Sequence, residues 1–311
     1  MIGFMFPGQG AQRVGMGKDL YQGWAVARET FDSASEVLGY DVARLCLEGP
    51  EDLLKQTEYT QPALLTVAVA AYRVIASEGV KPDMAAGLSL GEYSALVAAG
   101  ALEFSQAVSL VQRRGRYMQE AVPRGVGGMA AIIGLDNEQV EELCRQFEEA
   151  GLVQAANYNC PQQLVISGEL PAVRSCAEAA RMRGARRAVV LEVSAPFHCD
   201  MMKPAASRLL GDLEDADIAA PSFRVFSNVE GRLLDEPQTI RQALYEQVFS
   251  PVQWEACIKG MHSAGCRRFV EVGGGKVLSG FVRRIVSDVE IMQVEDTMSL
   301  NNLLDMWEEV C

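Results

Sequence analysis

The pentapeptide Gly87-Leu88-Ser89-Leu90-Gly91 sets a serine between two glycines. A short apolar run, Met84–Gly87, precedes it, and the nearly all-apolar segment Glu92–Ala99 follows. Strand, Gly-x-Ser-x-Gly and helix in that order make a nucleophile elbow, a sharp turn that lifts a hydroxyl clear of the backbone. The turn leaves no space for a Cβ, hence the glycines. A serine that only opens a helix as its N-cap needs neither, so Ser89 is the candidate nucleophile. A serine alkoxide needs a base, and imidazole suits neutral pH. The chain has two histidines, His198 and His262. His198 lies in Ser194-Ala195-Pro196-Phe197-His198-Cys199-Asp200, where a compact stretch of chain ends and the larger part resumes, a natural cleft position. His262 flanks an amphipathic helix whose stripe is Trp254, Cys257, Ile258 and Met261, which suits a surface imidazole. His198 is therefore the candidate base.

A third residue stands out by its position on a helix. Over 105–122, Ala107, Val108, Leu110, Val111, Tyr117, Met118, Ala121 and Val122 share one arc at helical spacing. Arg114 projects near the centre of that arc, beside Gly115, whose missing side chain is expected to leave it room. A buried guanidinium requires an anionic partner, because an unpaired charge costs several kcal/mol. Two partners fit: an internal Asp or Glu in a structural ion pair, or a substrate carboxylate held bidentately.

Other chemistries are disfavoured. Gly8-x-Gly10 lacks the third glycine of a dinucleotide fingerprint, since residue 13 is Arg. Gly273-Gly274-Gly275-Lys276 fails as a phosphate loop, with Val270 in place of the leading glycine and Val277 in place of Ser or Thr. No nucleotide cofactor is expected. The eight cysteines contain no Cys-x-x-Cys pair, so neither a zinc site nor a disulfide framework is expected, and mostly buried, reduced thiols are. The balance of 28 Lys and Arg against 41 Asp and Glu, a net charge of −13, argues against nucleic acid or an anionic membrane as partner. The apolar run from Pro62 to Tyr72 stops at Arg73, too short to span a bilayer. No basic stretch precedes the first apolar residues, so no signal peptide is expected and a cytoplasmic enzyme is the default.

At 311 residues with 49% hydrophobic and 22% charged, the chain can bury a core without staples, as one large domain or two modest ones. Ile2–Phe6 reads as a strand running into the glycine-rich turn 7–12. Helices are expected over 61–79, with Pro62 in the first turn, and over 105–122. Between about 126 and 193 the pattern is β-α-β-β-α-β, the order of a ferredoxin-like unit. Its helices open at Asp136 and Pro171, and its strands lie near 129–134, 153–158, 163–167 and 188–193. Alternating strands and helices then resume, with strands near 224–229, 268–272 and 291–294. The expected architecture is α/β: a core over 1–124 and 196–311, with a small α+β subdomain over 125–195 inserted into it.

Assembled, these segments resemble the malonyl-CoA:acyl carrier protein transacylases, acyltransferases that load malonyl units in fatty acid synthesis. The resemblance runs through nearly the whole chain. It rests on Phe6-Pro7-Gly8-Gln9-Gly10-Ala11-Gln12, Thr60-Gln61-Pro62-Ala63-Leu64, Gly87 to Leu96, Arg114-Gly115 with Met118-Gln119, Asn157-Tyr158-Asn159, Pro196-Phe197-His198 and Ser250-Pro251-Val252-Gln253-Trp254. It implies a hydrolase-like parallel-sheet core carrying a ferredoxin-like insert. It also implies Ser89 as nucleophile, His198 as base, Gln253 as the residue that steadies the histidine, and the amides of Gln9 and Leu90 as oxyanion donors. Arg114 would grip the free carboxylate of malonate, with Phe197, Asn157 and Asn159 as further substrate contacts. The chemistry implied is ping-pong: malonyl passes from coenzyme A to serine, then to the phosphopantetheine thiol of an acyl carrier protein. No cofactor or metal is implied, and a monomer is expected.

One departure is local. The family usually has histidine before the nucleophile, and here it is Leu88, which is expected to alter rate or pH response rather than abolish activity. Phe197 resembles the malonyl-selecting form of its position, a ring that crowds out an α-methyl branch. An acidic carrier needs a local basic patch, and Arg186-Arg187, Arg267-Arg268, Lys276 and Arg283-Arg284 are the candidates. The rival readings are a serine thioesterase or acyl hydrolase, a non-catalytic carrier-binding module, and a stand-alone polyketide acyltransferase.

Overall fold

The computed structural model describes residues 1–308, and Cys311 lies outside them. A six-stranded sheet is built from β1 (Ile2–Phe6), β2 (Met84–Gly87), β7 (Arg224–Phe226), β8 (Leu233–Leu234), β9 (Arg268–Val272) and β10 (Glu290–Val294). A second sheet holds β3 (Gly127–Ile133), β4 (Val153–Cys160), β5 (Gln163–Glu169) and β6 (Arg187–Val190). The larger sheet runs β10-β9-β1-β2-β7-β8 and is parallel except for the β8 edge. Every residue of β1 and β2 is buried, as befits central strands covered by helices on both faces.

The smaller sheet is antiparallel in the order β4-β5-β3-β6, with the helices Asn137–Phe147 and Leu170–Met182 against one face. Val140, Leu143, Ile166, Val173 and Cys176 form its own small core. Asp136 opens the first of those helices through a reciprocal capping box with Gln139. This unit is bonded to the rest of the molecule through β4. Tyr158 N–H donates to the Val252 carbonyl at 2.9 Å, and Val252 N–H donates to that of Ala156 at 2.8 Å. β4 carries register irregularities on either side of this contact, between Ala155 and Asn157 and between Tyr158 and Cys160.

Two helices expected from the sequence take different form. The helix containing Pro62 spans Thr57–Ser77, four residues longer at its start than expected, so the proline falls beyond the first turn. Thr60 Oγ1 closes the early turn by donating to the carbonyls of Leu54 and Gln56. In the helix Phe104–Glu120, Gly115 does not make room for Arg114. A Cβ there would sit 2.6 Å from the Thr57 carbonyl oxygen, so the missing side chain admits the backbone of the neighbouring helix instead. The seven cysteines among the described residues are buried and unbridged. No described helix is long and apolar enough to cross a membrane.

Candidate active site

Ser89 stands at the sharp bend between β2 and the helix Leu90–Ala98, with φ +53° and ψ −104°. That backbone is left-handed for a residue with a Cβ, a strain of about 1–3 kcal/mol that persists only where neighbours over-determine it. The glycines leave no alternative. A Cβ on Gly87 would lie 1.8 Å from the Gly91 carbonyl carbon, and one on Gly91 would lie 2.0 Å from the Phe6 carbonyl oxygen.

The over-determining neighbour is Asn228, fully buried just past β7. Its Oδ1 accepts from the Ser89 amide at 2.6 Å, and its Nδ2 donates to the Gly87 carbonyl at 2.6 Å. One side chain thus pins both sides of the elbow. Asn228→Ala is expected to slow acylation of Ser89 by about 10–10²-fold, the cost of a misplaced reacting group. Single-turnover labelling with malonyl-CoA measures it, and an unchanged rate in a folded variant would remove this role.

Ser89 Oγ lies 2.8 Å from His198 Nε2. The other ring nitrogen, Nδ1, lies 2.8 Å from the carbonyl oxygen of Gln247. A carbonyl only accepts, so Nδ1 carries the proton and Nε2 presents its lone pair to the Ser89 hydroxyl, which donates. His198 is also left-handed, at φ +60°. Burial, reinforced by the positive charge of Arg114, holds the imidazole down to about 3, so it is neutral at physiological pH. A hydroxyl facing a neutral, oriented imidazole can be deprotonated as it attacks.

The assignment of Gln253 as the residue that steadies this histidine is corrected by the structure. Gln253 is the N-cap of the helix Trp254–Ser263, and its amide donates to the Asn228 carbonyl at 2.7 Å. The acceptor at Nδ1 is the main-chain oxygen of Gln247, the last residue of the helix Pro237–Gln247. A backbone carbonyl exposed by a helix C-terminus does the orienting, and no side-chain pattern announces it.

Arg114 is 1% exposed and makes no ion pair within 4.0 Å among the described residues. Its fork is held by neutral oxygens: Nη1 donates to Gln61 Oε1 at 2.8 Å, and Nη2 to Gln247 Oε1 at 2.9 Å. Nη2 also reaches Ser89 Oγ at 3.2 Å, and the guanidinium lies over the Tyr93 ring at 5.5 Å. Nε has no partner. A positive charge is therefore buried beside the nucleophile with amides, not a carboxylate, at its tips.

These groups open into a cleft of about 250 Å³ between the core and the smaller sheet. Gln9, Leu90, Asn157, Asn159 and Phe197 all line it with Ser89, His198 and Arg114. Among the described residues, neither the Gln9 nor the Leu90 main-chain N–H is bonded to a carbonyl. Leu88 lines the same cleft, its side chain half-buried against the apolar cluster of Trp254 and Phe281. His262 is half-buried on its helix, away from the cleft.

Sequence reasoning missed Gln247, Asn228 and Glu92. Glu92 had a readable signal, a lone acid in an apolar helix, whereas Gln247 and Asn228 sit in unremarkable contexts. Comparison with known proteins places the chain in a family. The acyl transferase domain model matches residues 3–300. The chain belongs to the acyl transferase family. It is 47% identical to a malonyl CoA-acyl carrier protein transacylase of Haemophilus influenzae, with 96% of each chain covered. It is 44% identical to that of Escherichia coli K12, covering 97% of this chain and 98% of the relative. Among solved structures, a malonyl-transacylase in complex with a type II PKS acyl-carrier protein superposes with a TM-score of 0.96 at 44% identity, covering 98% of this chain and 99% of that one.

Proposed function

We infer that this chain transfers a malonyl group from malonyl-CoA to the phosphopantetheine thiol of an acyl carrier protein, through a malonyl ester on Ser89. The observation that carries the reading is Arg114: a buried guanidinium without a carboxylate partner, 3.2 Å from the nucleophile's oxygen. A diacid thioester would put a carboxylate in direct contact with the guanidinium, whose tips the protein itself meets with neutral amide oxygens. Ser89 Oγ attacks the thioester carbonyl as its proton passes to His198 Nε2. The tetrahedral oxyanion is held by the Gln9 and Leu90 amides, each worth about 10²–10³ in rate in a comparable site. Coenzyme A leaves with that proton. The carrier's thiol then gives its proton to His198 and attacks the ester, restoring Ser89. A plain hydrolase has no use for the buried cation. No cofactor is required by these steps, and a monomer in the cytoplasm fits the same reading.

The deciding experiment is intact-mass analysis after mixing with malonyl-, acetyl- and methylmalonyl-CoA. A malonyl adduct on Ser89, discharged by carrier protein faster than by water, is expected. Discharge to water at the same rate would make it a hydrolase, and no adduct would make it a binding module.

Phe197 is 7% exposed and lines the cleft beside His198, as a barrier to an α-methyl branch would. Phe197→Ser is expected to raise methylmalonyl relative to malonyl labelling by about tenfold or more, the scale of one methylene's discrimination. Equal selectivity in the two proteins would remove the explanation.

The basic candidates separate. Arg268 is paired with Glu290 at 2.8 Å, Arg267 donates to the His262 and Cys266 carbonyls, and Arg284 bonds Gln163 and Pro161. Lys276 and Arg283 are exposed at the two ends of the helix whose Val277, Leu278 and Phe281 wall the cleft. Reversing both to Glu is expected to raise the apparent KM for carrier protein about tenfold and leave that for malonyl-CoA unchanged. An unmoved carrier KM would exclude this pair.

A further inference from the structure

The acidic side chain whose charge reaches Arg114 is Glu92, completely buried in the first turn of the elbow helix. The two charges do not touch but share one amide. Gln247 Oε1 accepts from Arg114 Nη2 at 2.9 Å, while its Nε2 donates to Glu92 Oε2 at 2.8 Å and to the Ser89 carbonyl at 3.0 Å. The Asn228 amide N–H also donates to Glu92 Oε2, at 2.9 Å. Both donors converge on one oxygen, and Oε1 is left with no partner. A proton can therefore sit on Oε1 without breaking any hydrogen bond in the cluster.

We propose that Glu92 is a proton-switchable counter-charge to Arg114, ionised while the acyl slot is empty and protonated from solvent when a substrate carboxylate docks on the guanidinium. The proposal rests on the malonyl-transfer reading and deepens it. With the slot empty, Arg114 and Glu92 balance across the Gln247 amide. A docked carboxylate would put two negative charges against one positive in a dry site. Two carboxylates sharing a site cannot both ionise cheaply, so one takes up a proton. The malonyl carboxylate bonds the guanidinium directly and stays ionised, which leaves Glu92 to accept.

The groups around Glu92 leave it as the one that titrates near neutrality. Arg114 faces it from its helix, Tyr93 from its own helix and Cys257 from the helix Trp254–Ser263. Burial pushes Tyr93 up to about 12 and the Cys257 thiol higher still, so both stay neutral. His198, held down to about 3, is neutral as well. Burial pushes Glu92 itself up to about 7, opposed by its bonds to Asn228 and Gln247 and by Arg114. Linkage then requires malonyl binding to tighten as pH falls, because the substrate binds better to the protonated form.

Calorimetry on the Ser89→Ala protein, which binds without reacting, tests this in buffers of different ionisation enthalpy. At about pH 8, malonyl-CoA is expected to take up close to one proton per site, acetyl-CoA none, and the malonyl Kd is expected to rise about tenfold from pH 6.5 to 8. Adding Glu92→Gln is expected to remove the uptake and flatten the Kd. Binding without proton uptake in Ser89→Ala, or uptake that survives Glu92→Gln, overturns the proposal. If Glu92→Gln fails to fold, the Ser89→Ala measurement decides alone. Failure of the native chain to form a malonyl adduct would instead overturn the transfer reading, so the two failures are distinguishable.

Discussion

Ser89→Ala is expected to abolish the malonyl adduct and to slow transfer to carrier protein by about 10⁴–10⁶-fold, the range for removing a nucleophile that acts as a unit with its base. His198→Ala should cost a comparable factor, and the double variant little more than either single one. That non-additivity is the signature to measure, because the hydroxyl and imidazole joined at 2.8 Å do one job between them. Two independent losses that multiply would mean that His198 does not act through Ser89. The pH dependence has a definite sign. An ordinary imidazole protonates near 6.5 and disables a base below it. Burial and Arg114 hold His198 down to about 3, so acylation at saturating malonyl-CoA should stay level as pH falls from about 7 to 5. A fall centred near 6.5 would show that the imidazole is not held neutral.

Arg114→Gln is the second large effect, and it should divide the substrates. The variant keeps hydrogen-bonding reach but leaves a docked carboxylate buried and unpaired, a loss of about 2–5 kcal/mol. Malonyl transfer should therefore fall by about 10²–10³-fold or more, while acetyl transfer changes little or rises. Competition between malonyl-CoA and acetyl-CoA for Ser89, read by intact mass, reports the ratio directly. Equal loss with both substrates would mean that Arg114 positions the hydroxyl through its 3.2 Å contact and does not select the acyl group.

Much of this site was legible because its chemistry needs steric exceptions. Gly87 and Gly91 announced the elbow, and the backbone packed against both leaves no space for a Cβ, which is why no other residue fits. Arg114 was legible because a charge in the middle of an apolar arc breaks the helical pattern, and it is buried as that pattern required. The β-α-β-β-α-β order was readable from alternating periodicity and turn residues, although the ends of the individual strands and helices moved by a few residues. What did not show was whatever acts through the main chain or across the fold. The Gln247 carbonyl orients His198, a contact with no side-chain signature, so a glutamine in a resembling motif, Gln253, was mistaken for it. Gly115 was read for its own helix, whereas its space is set by Thr57 on another. Asn228 braces a turn 139 residues away in sequence. Such roles exist only once the chain has closed on itself.

The short pairing of Val252 with β4 has a consequence for how such an enzyme could change. Within six residues, this segment both fixes the spacing between the two sheets and supplies the oxygen that aims the imidazole. Shifting the segment to admit a bulkier acyl group would also rotate the base away from its hydroxyl. Breadth of substrate and speed of turnover are thus mechanically geared together. Altered selectivity is reached more safely by trimming side chains on the walls, as at Phe197, than by moving the frame.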